Sequence, residues 1–316
     1  MSTYFPYFRG KQFELITVRD CAPLLQQSSF VPIIEPVQKS LGGLNRTLEA
    51  IVDAGGKAVV ITNPEFGAFA SNATELESWL RGALAGVPNI SMGVRLHELS
   101  TVDATLQDAE RFAAWPLTLI HAGFTEGRTL AAGLSDNSQE IHHVFIERDC
   151  GKLYRKHFVG PTRILIRDGF EQRTNRSHPD VEHFSDLHAT YSEEGMSGFG
   201  DFLMVGDNFS VSGGPAYTVA IHTTYVDSEK DDEMFIQHFK SDSSDTPTDP
   251  AGKFSEALAK LVREVRRGDS PILRTKAIDE FLDLAHRRHF PGLGYVKKLS
   301  MNHHIEAISN YFQSRM

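Results

Sequence analysis

Eight short apolar runs recur through the first two-thirds of this chain, and nearly all stop on a charged or polar residue. FPYF stops before Arg9, VPII before Glu35, AVVI before Thr62 and Asn63, and SMGV before Arg95. LTLI stops before His121, VFI before Glu147, Arg148 and Asp149, ILI before Arg167 and Asp168, and FLMVG before Asp207. Segments with helical spacing lie between the runs. Leu41, Leu44, Leu48, Ile51 and Val52 form one such stripe, which Gly55-Gly56 stops. Parallel strands need helix-sized crossovers, so the alternation implies a parallel sheet. The runs are apolar on both faces, as in a sheet buried inside and out. A doubly wound open sheet gives the same string. The eight units, and the absence of a Gly-rich dinucleotide fingerprint after the first run, favour a closed (β/α)8 TIM-like barrel.

The barrel is expected over residues 1–226. Residues 227–316 are expected to supply a β-hairpin strand, a linker and C-terminal helices, packed on the barrel as a single structural unit. The eighth strand is either DFLMVGD or YTVAIHTTYV. In the first case YTVAIHTTYV and MFIQHF form an extra β-hairpin. Pro23 is expected to end the first helix early. Residues 240–252 have linker composition, and helices are expected near 253–267, 271–288 and 300–312. The stretch 169–200 is polar and His-rich, and is expected as a long loop at the barrel mouth, able to act as a lid.

Charge and composition exclude several classes. A formal net charge of −9 over 316 residues argues against general nucleic-acid binding, because phosphate backbones are held by clustered Lys and Arg. No window approaches the roughly 18 uninterrupted apolar residues of a membrane span, and the first residues lack a signal-peptide pattern. The expectation is a soluble, cytoplasmic protein. Cys21 and Cys150 are the only cysteines, expected as reduced thiols.

In a barrel of this type the strand C-termini surround one mouth, and sites are built there. The residues expected to bind a ligand are Arg9, Lys11, Asn63, Arg95, Arg167 and Asp207. Those expected to do chemistry are Glu35, Glu147 and His121, the last because a strand-exit imidazole suits general acid/base work. Converging Arg forks suit phosphate or carboxylate. Glu35, Glu147 and Asp207, if turned inward, could hold Mg²⁺, which prefers oxygen ligands. Successive strand residues point oppositely, so about half of the strand-exit set is misdirected. The alternative role for these charges is to pair off and seal the barrel end. The histidine pairs His142-His143, His286 with His289, and His303-His304 lack a third ligand at a recognisable spacing, so no zinc site is assigned from them. There is no phosphate loop, HExxH, nucleophile elbow or kinase signature.

The opening YFPYFRGKQFEL, the IIEPV segment, VVITNPEFG, GDFLMVGDNFSVSGGPAYTVAIHTTY and the closing NHHIEAI together resemble the bacterial and phage beta-protein-like family. The resemblance runs over most of the chain, and its motifs are specific as a set rather than singly. It implies a barrel-like domain without an assigned activity, and a setting of phage or mobile elements that raises antiviral defence or phage–host conflict as a role. The positions that match its recurring polar motifs are Arg9, Gly10, Lys11, Glu35, Asn63, Asp201 and Asp207. Two functions are therefore carried forward. One is an enzyme or sensor for a phosphorylated or otherwise anionic small molecule, nucleotides included, at the barrel mouth. The other is a non-catalytic scaffold that holds a protein partner.

Overall fold

A computed structural model describes residues 3–315 except 136, 138, 161 and 212. The chain divides into two compact units. The first comprises Met1–Arg167 with Thr190–Phe202, the second Asp168–Ala189 with Leu203–Met316.

The first unit is a parallel barrel. It runs β1 (Tyr7–Phe8), α1 (Gln12–Gln27), β2 (Ile33–Ile34), α2 (Gly42–Asp53), β3 (Ala58–Ile61), α3 (Thr74–Ala83) and β4 (Ile90–Leu96). It continues through α4 (Val102–Arg111), β5 (Leu117–His121), α5 (Gly127–Leu134), β6 (Ile141–Ile146), α6 (Lys152–Arg155) and β7 (Arg163–Ile166). Residues of the second unit follow, with β8 (Val181–Ser185) and α7 (Leu187–Thr190), before β9 (Gly198–Gly200) completes the barrel sheet. The sheet order is β1-β2-β3-β4-β5-β6-β7-β9, each neighbouring pair parallel. Closure comes from backbone bonds between the first and last strands. Phe5 N donates to Phe199 O at 2.8 Å, Tyr7 N to Asp201 O at 2.9 Å, and Phe199 N to Thr3 O at 2.9 Å. The (β/α)8-type barrel read from the alternation is therefore the observed fold.

Strict alternation fills the interior. Tyr7, Ile33, Val59, Ile61, Ile120, Val144, Ile146, Ile164, Ile166 and Phe202 form one buried cluster. Their neighbours Phe8, Ile34, Val60, Phe145 and Leu165 are buried on the other face, as a sheet covered on both sides requires.

Three expectations need correction. Strand eight is GFG at 198–200, just ahead of DFLMVGD, and no apolar alternation marks it because two of its three residues are glycine. The 169–200 stretch is not one mouth-side loop. Its residues 181–185 form β8, which pairs antiparallel with β11 (Glu233–Lys240) of the second unit. Helix α1 runs past Pro23 to Gln27, so the ring costs one hydrogen bond without stopping the helix.

The second unit joins β10 (Ala220–Asp227), β11 and β8 into a three-stranded antiparallel sheet in the order β10-β11-β8. The hairpin expected from YTVAIHTTYV and MFIQHF is β10–β11. Helices α8 (Pro250–Val265), α9 (Lys276–Arg287) and α10 (Leu293–Gln313) follow. Ile221, Phe239, Phe254, Leu261, Phe281 and Leu299 share one core. The division differs from a boundary at 226, because 168–189 supplies the third strand of this sheet. Among the described residues, no helix is long and apolar enough to cross a membrane.

Closure predicts a sign contrast between two glycines. A Cβ on Gly200 would collide with the Phe5 carbonyl oxygen and with Ile166 Cδ1, whereas a Cβ on Gly82, in α3, meets nothing within 4 Å. Gly200→Ala should destabilise the protein by about 1–3 kcal/mol through overpacking. Gly82→Ala should stabilise it by up to about 1 kcal/mol through helix propensity. Urea midpoints of the two variants measure this. Equal shifts would show that β9 does not lie tight against the first strand.

Candidate functional site at the barrel mouth

The strand exits of β1 to β4 meet around one buried carboxylate. Glu35, immediately after β2, is fully buried. It accepts a hydrogen bond from Tyr7 Oη at 2.9 Å and pairs with the buried Arg9 guanidinium. Its other oxygen accepts from Glu65 N at 2.7 Å and Phe66 N at 3.4 Å. One side chain thus ties the end of β1 to the end of β2 and to the loop after β3. Arg9 is boxed by rings as well, with Phe66 at 4.8 Å, Tyr7 at 5.1 Å and Phe202 at 5.3 Å from its guanidinium carbon, distances at which cation–π attraction acts. Burial, and then the Glu35 charge, push the Tyr7 phenol well above its ordinary value, so it remains a donor. Gly10 follows Arg9 with φ of +63°, and a Cβ there would lie 2.7 Å from the Glu35 carbonyl oxygen. The Arg-Gly pair is thus needed twice, for the charge and for the close passage of the chain.

Asn63 extends the β3–β4 ladder with its side chain. Its amide donates to Arg95 O at 2.8 Å and accepts from Arg95 N at 2.7 Å. Both amide atoms are spent on backbone, so Asn63 positions β4. Arg95 is turned inward from β4, is buried, and pairs through Nη2 with Glu65. Burial works against its charge, but Tyr7, Glu35 and Glu65 outweigh that and hold the guanidinium above its ordinary value. Its Nε and Nη1 are buried and have no hydrogen-bond partner. Arg95 lines a cavity of about 630 Å³ together with Asn63, Glu65, His97, Arg148 and Asp149. That volume is in the range of small-molecule pockets.

The other expected residues fall elsewhere. Glu147, just past β6, is held by Arg167 through a bidentate pair at 2.6 and 3.0 Å, with both side chains partly exposed. Lys11 precedes helix α1 and does not line the cavity. Asp207 belongs to the second unit, where its N–H donates to Asp168 Oδ2 at 2.7 Å. Among the described residues, Glu35, Glu147 and Asp207 are not part of a metal-ligating group. Glu35 is already saturated by four donors, which also argues against it as a free general base.

His121 is the clearest misdirection. Ile120 and Ala122 face the barrel interior, so His121 faces outward. It lies among His143, Phe145, Tyr154 and Phe158. Its Nδ1 is 2.6 Å from Tyr154 Oη and its Nε2 is 3.1 Å from His143 Nδ1. Burial and the neighbouring His143 hold it well below its ordinary value. Cys150 donates to His121 O at 3.1 Å, and burial pushes its thiol up to about 11, the condition of an inert thiol. Both cysteines are buried, and neither is in a disulfide. Among the described residues, His286, His289, His303 and His304 are not part of a group of three possible metal ligands. The first two are exposed. His303 bonds Thr275 and Thr224 O, and His304 bonds Thr224, all inside the second unit.

Sequence reasoning missed Tyr7 and Glu65. Tyr7 was legible, because it lies two residues before Arg9 and so shares its face. Glu65 sits in an irregular loop, where no periodicity marks it. No family model matches the chain, and no curated protein matches it.

Two predictions follow from these environments. Glu35→Gln should destabilise the fold by about 3–5 kcal/mol, because it strips the buried Arg9 of its counter-charge. Glu147→Gln should cost at most about 1 kcal/mol, because its pair is partly exposed. Denaturant titration decides, and near-equal losses would remove the structural role given to Glu35. The second concerns pH. Burial, with Arg163 and His142 nearby, pulls His143 down to about 4, while an unfolded histidine titrates near ~6.5. The neutral ring therefore contributes its full stability above pH ~6.5, and that contribution is lost as pH falls toward 4. His143→Gln should lose less stability than the parent between pH 7.5 and pH 5, and identical losses would contradict the assignment.

Proposed function

We propose that the barrel mouth binds a small phosphorylated or otherwise anionic molecule, with mononucleotides inside that class. The observation that carries this reading is Arg95. It lines a cavity of ligand size while two of its three guanidinium nitrogens lack a partner. A buried, unsatisfied cationic donor is costly to a fold, and an anion in the cavity would satisfy it. Arg148 lies on the same wall. Glu65, Glu98 and Asp149 on the lining would accept from hydroxyl or amino groups of the same ligand, which favours a phosphorylated polyol or nucleotide over a bare inorganic ion. Arg9, Lys11 and Arg167 do not line this cavity, so in this reading anion recognition falls to Arg95 and Arg148.

The Arg9–Glu35 and Arg167–Glu147 pairs support a second reading, in which the mouth charges chiefly brace the barrel and the protein is a scaffold for a protein partner. The resemblance to the beta-protein-like family would place either function in phage–host conflict, and a cytoplasmic location fits both. Calorimetry with phosphate, sulfate and mononucleotides separates the readings. The parent should bind at least one mononucleotide, and Arg95→Ala should weaken it by about 1–3 kcal/mol, the range for a lost charge-assisted hydrogen bond. No binding by the parent, or equal binding by both, would favour the scaffold.

A further inference from the structure

The second unit carries a cluster that the histidine spacing along the chain does not reveal. His178 precedes β8, Glu182 lies on β8, His238 on β11 and His222 on β10. The three strands are neighbours in one sheet, and His222 and His238 are directly opposed in register. His178 and His238 are buried. His178, Glu182 and His238 each offer a ligand atom, all within 4.8 Å of one another.

We propose that His178, Glu182 and His238 bind one divalent transition-metal ion of the zinc class, with His222 orienting His238. The distances fit that chemistry. Zinc binds imidazole nitrogen and carboxylate oxygen at about 2.0–2.2 Å, so two ligands of a tetrahedral ion lie roughly 3.3–3.5 Å apart. Glu182 Oε1 is 3.3 Å from His178 Nδ1 and 3.0 Å from His238 Nε2. The same carboxylate could instead accept from both rings, and metal uptake separates the two arrangements. His222 Nδ1 approaches His238 Nδ1 to 2.6 Å. A ring that ligates through Nε2 donates its Nδ1–H to an outer acceptor, and His222 is placed to be that acceptor.

The surroundings complete the site. Arg173 donates to both Glu182 oxygens at 2.8 and 2.7 Å, which fixes the carboxylate as outer partners of metal ligands do. Lys240 turns to Asp180 at 3.0 Å, and its ammonium also donates to His178 O. Phe170 packs against His178 and His222, each with ring centroids 5.3 Å away. A two-histidine, one-carboxylate set favours zinc, cobalt or nickel over Mg²⁺ or Ca²⁺, which take oxygen ligands. Three protein ligands leave a fourth position for water or a substrate group.

The test is a Co²⁺ titration of the untagged, metal-stripped full chain, read by visible absorption, followed by displacement with Zn²⁺. The site predicts one equivalent per chain and full displacement by zinc. His238→Ala and Glu182→Gln should each weaken uptake at least 10-fold, whereas His286→Ala, an exposed histidine elsewhere, and Arg95→Ala at the barrel mouth should leave it unchanged. Should the site variants not fold, the parent titration still decides, since failure to take up a stoichiometric ion overturns the proposal. Undiminished uptake by folded His238→Ala and Glu182→Gln would overturn it equally.

Discussion

The buried Arg9–Glu35 pair is the interaction on which the barrel mouth depends. Strands β1 and β2 contribute only two ladder residues each, so backbone pairing alone is a weak tie at that edge of the barrel. Glu35 compensates by collecting donors from Tyr7, Arg9, Glu65 and Phe66. A carboxylate taken out of water survives only when its lone pairs are filled, and here the partners that fill them come from the end of β1 and the loop after β3. The need to satisfy one charge thereby fixes the relative placement of three strand ends. Arg95 inherits its position from the same arrangement. Asn63 anchors its backbone, Glu65 takes one edge of its guanidinium, and the remaining nitrogens are left without partners beside the cavity.

The barrel was legible because most of its strands hold an apolar run that stops on a polar residue. Parallel strands buried on both faces leave that trace, and the two-residue period then sorts the exits correctly for Arg9, Glu35 and Arg95. The same rule, applied to β5, would have turned His121 away from the mouth, since Ile120 and Ala122 are the inward residues. The reading failed where tertiary contact replaced periodicity. Gly198-Phe199-Gly200 makes a strand because Phe5 and Ile166 leave no room for larger side chains, and glycine carries no hydrophobic signal. VEHFS at 181–185 reads as loop because its polar residues are stabilised by β11, some fifty residues later. The histidine cluster of the second unit was invisible for a related reason. Its members are scattered along the sequence, and only antiparallel register brings them together.

The two candidate sites obey different chemistry. At the barrel mouth, cations are paired with acids, and the proposed recognition rests on Arg95, whose Nε and Nη1 are buried beside the cavity. In the second unit, two imidazoles and a carboxylate bring their ligand atoms within 4.8 Å of one another. The first arrangement suits an anion and the second a cation, and each lies within its own unit.

The most direct test of the account is a double-mutant cycle on Arg9 and Glu35, with each residue replaced by methionine singly and together. If the pair braces the strand ends, each single replacement leaves the other charge buried without its counter-charge, and the double replacement relieves much of that cost. Unfolding free energies should then show a coupling toward the upper end of the roughly 0.5–3 kcal/mol found for interacting residues. Additive losses, with a coupling near zero, would contradict the claim that this pair organises the mouth.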